Sequence, residues 1–389
     1  MVVDNGGMSL HRQVFFFGGF DPRSPRHYHR LYRAAVRERQ PEASEQVKVG
    51  PRQEASAIRD EWDVHWQAPD GETRLTRYAV MRWDDIVLQH WPRHLRQALK
   101  DLYQLHVRAQ LHGVLTRVRR HAPNMRQLAQ MPLYVASGTA VGVALVMSLL
   151  SWLTPLPAWL AAVLGVAAWL PLWRTVEKRL DGEWLLRLYA FVNAFAEGRV
   201  PAMEARLDAL ADELVQQARQ SRARELLVVG HSVGAIMAVS VLARAVQKAP
   251  ELGAPGGPQI ALLTLGHCTP LMVWQLPADK FREELVRLRA HAPLVWWDFT
   301  APADWAAMAQ IPPWMDGNGA AAQLEARSPR FHQQMSPEAY AQLRRDRHRL
   351  HMHYLHAPER AGGYDPVTLT AGPLTLADRQ AALAKPRAS

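Results

Sequence analysis

The sequence predicts an α/β fold in which a mostly parallel sheet, flanked by helices, is interrupted by an inserted pair of membrane-spanning helices. Three observations carry this expectation. Beyond residue 220, near-continuous apolar runs alternate with helix-period runs, the pattern of strands buried on both faces. From Gln127 to Trp173 the chain carries no Asp, Glu, Lys, Arg or His, a length that one buried globular helix does not require. With 389 residues, 48% of them hydrophobic, the chain can bury a large core, as one domain with insertions or as two domains.

In chain order, QVFFFGGF reads as a short buried strand ending in glycines, and Trp62, Val64 and Trp66 alternate with polar residues in EWDVHWQ. RLTRYAVMRW is a further strand, because β-branched and aromatic residues are frequent in it. From Pro92 to Arg120, Leu95, Leu99 and Leu102 repeat at helical spacing with arginines between them, which predicts an amphipathic helix leading towards the membrane.

In the uncharged tract, Thr154-Pro155-Leu156-Pro157 predicts a tight turn, since proline lacks an N–H and restricts the residue before it. The turn leaves about 22 residues before it and about 16 to 18 after it, against the roughly 20 that cross a bilayer core. Trp152 and Trp159 flank the turn, and Trp169 and Trp173 lie at the far end of the second span, where amphipathic rings meet an interface. Arg117, Arg119, Arg120 and Arg126 precede the first span, and Arg174, Lys178 and Arg179 follow the second. Positive charge on both outer flanks places both on the cytoplasmic side of the inner membrane. A buried hairpin in a soluble protein and a re-entrant hairpin dipping into one leaflet are the alternatives. The expected organisation is residues 1–125 as the first part of the core, 126–180 as the hairpin and 181–389 as the second part of the core.

After the hairpin, residues 184–198 and 202–220 read as helices, ELLVVG as a buried strand and AIMAVSVLARAVQK as a helix. QIALLTLG and PLVWWDFT are strands, separated by the helix ADKFREELVRLRA.

The net charge of +10 admits nucleic acid, anionic lipid or an acidic substrate. No compact nucleic-acid motif accompanies it, so no nucleic-acid partner is expected. Cys268 is the only cysteine, so no intrachain disulfide forms. The first twenty residues lack the basic flank, long apolar centre and small-residue cleavage site of a signal peptide, which keeps the N-terminus in the cytoplasm.

Gly230-His231-Ser232-Val233-Gly234 stands between a buried strand and a helix of small residues. Alone the pentapeptide is a common chance match, but this context is the one a nucleophile elbow requires. Glycines on either side allow the strained turn that lifts a serine above a sheet, and the new helix presents its first amides to developing negative charge. On these residues the chain resembles the α/β-hydrolase superfamily over residues 12–20 and about 222–370, implying an α/β-hydrolase-like sheet and a serine hydrolase.

The resemblance further implies an acid and then a histidine downstream of Ser232. Asp304, in the loop APADW after the strand WWDFT, is the expected acid, with Asp298 inside that strand as the alternative. HRLHMHYLH offers His348, His351, His353 and His356. His351 is the expected base, because Tyr354 completes the family's His-x-x-Tyr spacing, and His353 is the runner-up. A metal site is not expected, since no carboxylate or cysteine joins these histidines at ligand spacing and Arg347 and Arg349 repel a cation. No cofactor is implied.

The family's second oxyanion donor comes from the loop after an early strand, commonly a His-Gly pair. Here Gly18-Gly19-Phe20 occupies that place, so the backbone N–H groups of Phe20 and Val233 are the expected donors. The chain departs from the family again in the more than two hundred residues between Phe20 and Ser232, which the hairpin insertion explains in large part. Trp305, Trp314 and Met315 are candidates for an acyl pocket or for ordinary packing. The expectation is a membrane-anchored esterase or lipase acting on a small-molecule or lipid acyl ester. A catalytically silent hydrolase fold serving as a membrane scaffold is the competing reading.

Overall fold

A computed structural model describes residues 10–23, 25–39, 45–91, 95–180, 182–314, 324–360 and 362–384. Its centre is a nine-stranded sheet flanked by helices. The strands are β1 (Leu10–Phe17), β2 (Gln46–Val49), β3 (Gln53–Ser56), β4 (Arg59–Gln67), β5 (Thr73–Met81), β6 (Glu225–His231), β7 (Gln259–Leu265), β8 (Val295–Phe299) and β9 (Leu324–Arg327). Their order is β2-β4-β5-β1-β6-β7-β8-β9, with β3 paired to β4. The principal helices are α1 (Pro25–Glu38), α2 (Pro123–Leu153), α3 (Ala158–Arg179), α4 (Gly182–Ala196), α5 (Pro201–Gln220), α6 (Gly234–Lys248), α7 (Asp279–Ala290), α8 (Pro337–Arg345) and α9 (Arg347–Met352).

The run from β5 through β1, β6, β7 and β8 to β9 is parallel, and β2, β3 and β4 add antiparallel pairings at one edge. This split follows from the residues. β6 and β7 are largely apolar, β1 ends in the apolar run Val14–Phe17, and these segments are buried on both faces, as crossover helices demand, whereas β4 alternates Trp62, Val64 and Trp66 inward with exposed or half-buried polar residues. Trp62 stacks on Tyr78 of β5 with centroids 4.8 Å apart, fixing the edge register. From β1 the chain returns to the sheet as β5 on one side, while β6 to β9 spread to the other. The strand order therefore reverses between β1 and β6, and the carboxyl ends of such a pair are where open parallel sheets hold ligands.

The described residues up to 89 and from 197 onward form one compact unit, and those between 90 and 196 a second. The second unit reaches beyond the 126–180 that loss of charge marks out, because flanking helices pack onto the hairpin's base. Arg187 of α4 pairs with Asp101 at 3.0 Å, and Asn193 donates to Gln104 at 3.0 Å. The amphipathic helix expected over 92–120 is several short helices, Leu95–Tyr103, a π-helical turn, Ala109–Leu111 and Val114–His121. Gly113 in the left-handed region breaks it, and Leu99 is exposed rather than packed.

α2 and α3 turn at Thr154–Pro157, as the prolines predict. α2 begins at Pro123, taking in Arg126, and α3 runs on through Arg174 to Arg179, so the second helix is longer than its uncharged tract. Both are long and apolar enough to cross a membrane, with 6% and 11% of their most apolar windows buried. Leu145, Leu149, Trp152, Trp159, Val163 and Val166 are exposed, which a buried hairpin of a soluble core does not do. At the base of the hairpin the Trp169 indole N–H donates to the Ala136 carbonyl at 3.1 Å, and Trp169 stacks on Trp173 at 5.6 Å.

Candidate active site

At the end of β6 the backbone bends sharply. Ser232 has φ +58°, a left-handed conformation that a β-carbon disfavours, and its amide donates to the Leu265 carbonyl at 2.9 Å. α6 starts two residues later. A Cβ on Gly230 would lie 2.5 Å from the Ala235 Cα, and one on Gly234 would overlap the carbonyl oxygens of Phe17 and Gly18. Both elbow positions thus admit only glycine, for reasons of close backbone approach rather than flexibility.

The loop after β1 lies against this bend, since a Cβ on Gly19 would stand 3.1 Å from that of Ser232. The loop is held by Trp83, whose indole N–H donates to the Gly18 carbonyl at 3.0 Å and whose ring lies 6.2 Å from that of Phe20. Phe20 and Val233 are both buried, and Val233 caps α6 at its amino end. The two expected oxyanion donors are therefore in the two segments that meet at Ser232.

Asp304 and His351, 47 residues apart, meet through His351 Nδ1 and Asp304 Oδ2 at 2.7 Å, both side chains buried. With Nδ1–H donating to the carboxylate, the lone pair is left on Nε2, the tautomer a general base needs. The other Asp304 oxygen accepts from the Ala306 amide at 3.0 Å. Tyr354 joins the two loops, its hydroxyl accepting from the Ala301 amide at 2.8 Å.

The alternatives go elsewhere. Asp298 accepts from Thr264 Oγ1 at 2.7 Å and Thr300 Oγ1 at 3.2 Å, inside the sheet. His353 packs edge-on to Phe331 at 4.8 Å and stacks on His356. Cys268 is buried, and burial, with Asp304 adding to it, pushes its thiol up to about 12, away from the reactive thiolate. Among the described residues no three His, Cys, Asp or Glu side chains converge as metal ligands. Trp314 packs edge-on to Trp296 at 5.6 Å and beneath Arg289. Trp305 lies under Arg347, and Met315 lies outside the described residues.

Sequence reasoning missed His231. Its Nε2 lies 3.0 Å from the His351 carbonyl oxygen and donates to it, and the two rings are 5.0 Å apart. The residue before the serine therefore positions the backbone of the histidine. Its partner is 120 residues away, so no local pattern announces it.

Burial, aided by neighbouring His351, pulls the His231 pKa down to about 3, and burial, with His356 and Arg349, pulls that of His353 to about 4, both from an ordinary 6.5. Above about pH 6.5 each is neutral whether folded or unfolded. As pH falls towards 4, the unfolded chain binds protons that the folded chain refuses, so stability drops by about 1.4 kcal/mol per pH unit for each group. Urea midpoints measured from pH 7.5 to pH 4.5 should fall below pH 6.5, with a shallower fall in His353→Gln.

Comparison of the chain with protein-family models, with curated proteins and with solved structures finds no match to any of them.

Proposed function

We propose that this chain is a membrane-anchored serine hydrolase of α/β-hydrolase type, acting on acyl esters from the cytoplasmic face of the inner membrane. The observation that carries the reading is the buried Asp304–His351 hydrogen bond, whose histidine is tied through its backbone carbonyl to His231, the residue before the strained bend at Ser232. Three features of the sheet agree with it: the elbow follows a central parallel strand, the acid follows β8, and the histidine comes later in the chain. The exposed apolar surfaces of α2 and α3, with arginines at the end of each helix away from the Thr154–Pro157 turn, support the anchor.

In this mechanism the Ser232 hydroxyl attacks the acyl carbon while His351 Nε2 takes its proton, and Asp304 stabilises the imidazolium through Nδ1–H. The amides of Val233 and Phe20 receive the oxyanion, and loss of one such donor typically costs on the order of a hundredfold in rate. His351 returns the proton to the leaving alcohol. Water, deprotonated by the same nitrogen, then attacks the acyl carbon; the ester bond to Ser232 breaks and the serine recovers its proton. No cofactor enters.

A fluorophosphonate probe tests the reading, since it reacts only with an activated serine. His351→Gln should slow labelling by about a thousandfold or more, whereas His353→Gln should stay within a few-fold of wild type. No labelling of folded wild-type protein favours the scaffold, and loss of labelling only in His353→Gln reassigns the base.

A further inference from the structure

The same unit carries a concentration of positive charge that the proposed chemistry does not use. On α1, Arg26, Arg30, Arg33 and Arg37 follow one another at helical spacing and are all exposed, opposite the buried Tyr28, Tyr32 and Ala35. Arg344 and Arg345 end α8, and Arg347 and Arg349 open α9, again all exposed. Among the described residues none of these eight guanidinium groups forms an ion pair. The acids nearby are few: Glu38, Glu338, Asp346 and Glu359 are exposed, Asp346 is engaged in capping α9, Glu359 accepts from the Ser336 amide, and Asp21 is paired with Arg23.

The two arginine groups belong to one surface. Arg23, just before α1, reaches the Met352 sulfur at 4.0 Å, and Met352 follows His351. His27 of α1 lies close enough to His356 for that ring to disfavour its charge, and Arg349 does the same to His353 and His356. The surface also borders the candidate site, because Arg347 lies 3.5 Å over the ring of Trp305, the residue after Asp304. Arg344 similarly lies over Tyr340 at 5.8 Å. Unpaired arginines beside partly buried aromatic rings suit a phosphate-bearing lipid interface, where the cation meets the headgroup and the ring lies at its level.

We propose that the arginine surface of α1, α8 and α9 docks on an anionic lipid leaflet, holding the rim of the Ser232 site against phosphate headgroups. The occupant follows from charge complementarity and from the chain's two exposed apolar helices. Nucleic acid satisfies the charge alone. Docking is independent of serine chemistry, and Ser232→Ala should dock like wild type, so failure of docking and failure of hydrolysis are read separately.

To test it, the full chain in phosphatidylcholine nanodiscs is mixed with separate vesicles of phosphatidylcholine alone or with 30 mol % phosphatidylglycerol, and co-flotation is measured against empty discs. Loaded discs should float with the anionic vesicles only, and 0.5 M NaCl should release them. Arg344→Gln/Arg345→Gln/Arg347→Gln/Arg349→Gln should weaken binding about a hundredfold or more, since each basic side chain near such a surface adds several-fold. Arg26→Gln/Arg30→Gln/Arg33→Gln/Arg37→Gln is an independent second variant, and both keep the wild-type Tm because the positions are exposed. Equal binding to neutral vesicles, wild-type binding by both folded variants, or tighter binding to an oligonucleotide at equal phosphate concentration overturns the proposal.

Discussion

Ser232→Ala should lower kcat for a p-nitrophenyl acyl ester by about five to six powers of ten and abolish fluorophosphonate labelling, while Tm stays where it is. The size follows from the role: the serine is the bond-forming atom, and His351 and Asp304 have nothing to activate without it. Ser232→Gly separates this loss from general damage. At φ +58° any β-carbon is strained, and alanine keeps the strain that glycine removes. Ser232→Gly is therefore expected to be equally inactive yet more stable by about 1 kcal/mol in urea unfolding, after the greater freedom of the unfolded glycine is set against the relief. An inactive glycine variant with lowered stability would mean that the bend is held by contacts of the hydroxyl rather than imposed for its exposure. Residual activity in the alanine variant near the wild-type level would remove Ser232 from the chemistry altogether.

Such a strained serine is legible in the sequence because several levels of it agree. Leu226 to Val229 can only be a buried strand, Ala235 onward is a helix of small residues, and the glycines between them need close backbone approach. Asp304 and His351 follow only from a resemblance, which implies their chain order. What distinguishes Asp304 from Asp298 physically is that a loop carboxylate can turn towards another loop, whereas Asp298 in β8 is claimed by Thr264 and Thr300. The parts that escaped are those with weak local signals. β2, β3 and β9 are four-residue, polar and partly exposed strands whose pairing depends on neighbours already in place. The break at Gly113 is invisible in a periodicity that continues across it, and the bond from His231 to the His351 carbonyl exists only once the sheet has brought two distant segments together.

The other large effect is expected at Gly234, and it is steric. Gly234→Ala should destabilise the fold by about 3 kcal/mol or more, at the upper end of overpacking, because the atoms in its way are backbone carbonyls of Phe17 and Gly18 and no rotamer change relieves them. Gly363→Ala, whose Cβ meets nothing within 4 Å, serves as the control and should stay within about 0.5 kcal/mol. Urea midpoints of the two variants decide the matter, and equal small shifts would mean that β1 and α6 are not pressed together as described. The consequence reaches the site. The contact that forbids a side chain at Gly234 is the one that brings the first turn of α6, with the Val233 amide, against the loop carrying Phe20. Any variant that folds by easing β1 away from α6 therefore also widens the gap between the two proposed oxyanion donors. Such a variant should lose kcat by at least about a hundredfold, the cost of one donor, while KM for a small ester changes much less. A folded Gly234→Ala protein with full kcat would show that the oxyanion is received elsewhere, even if Ser232 remains the nucleophile.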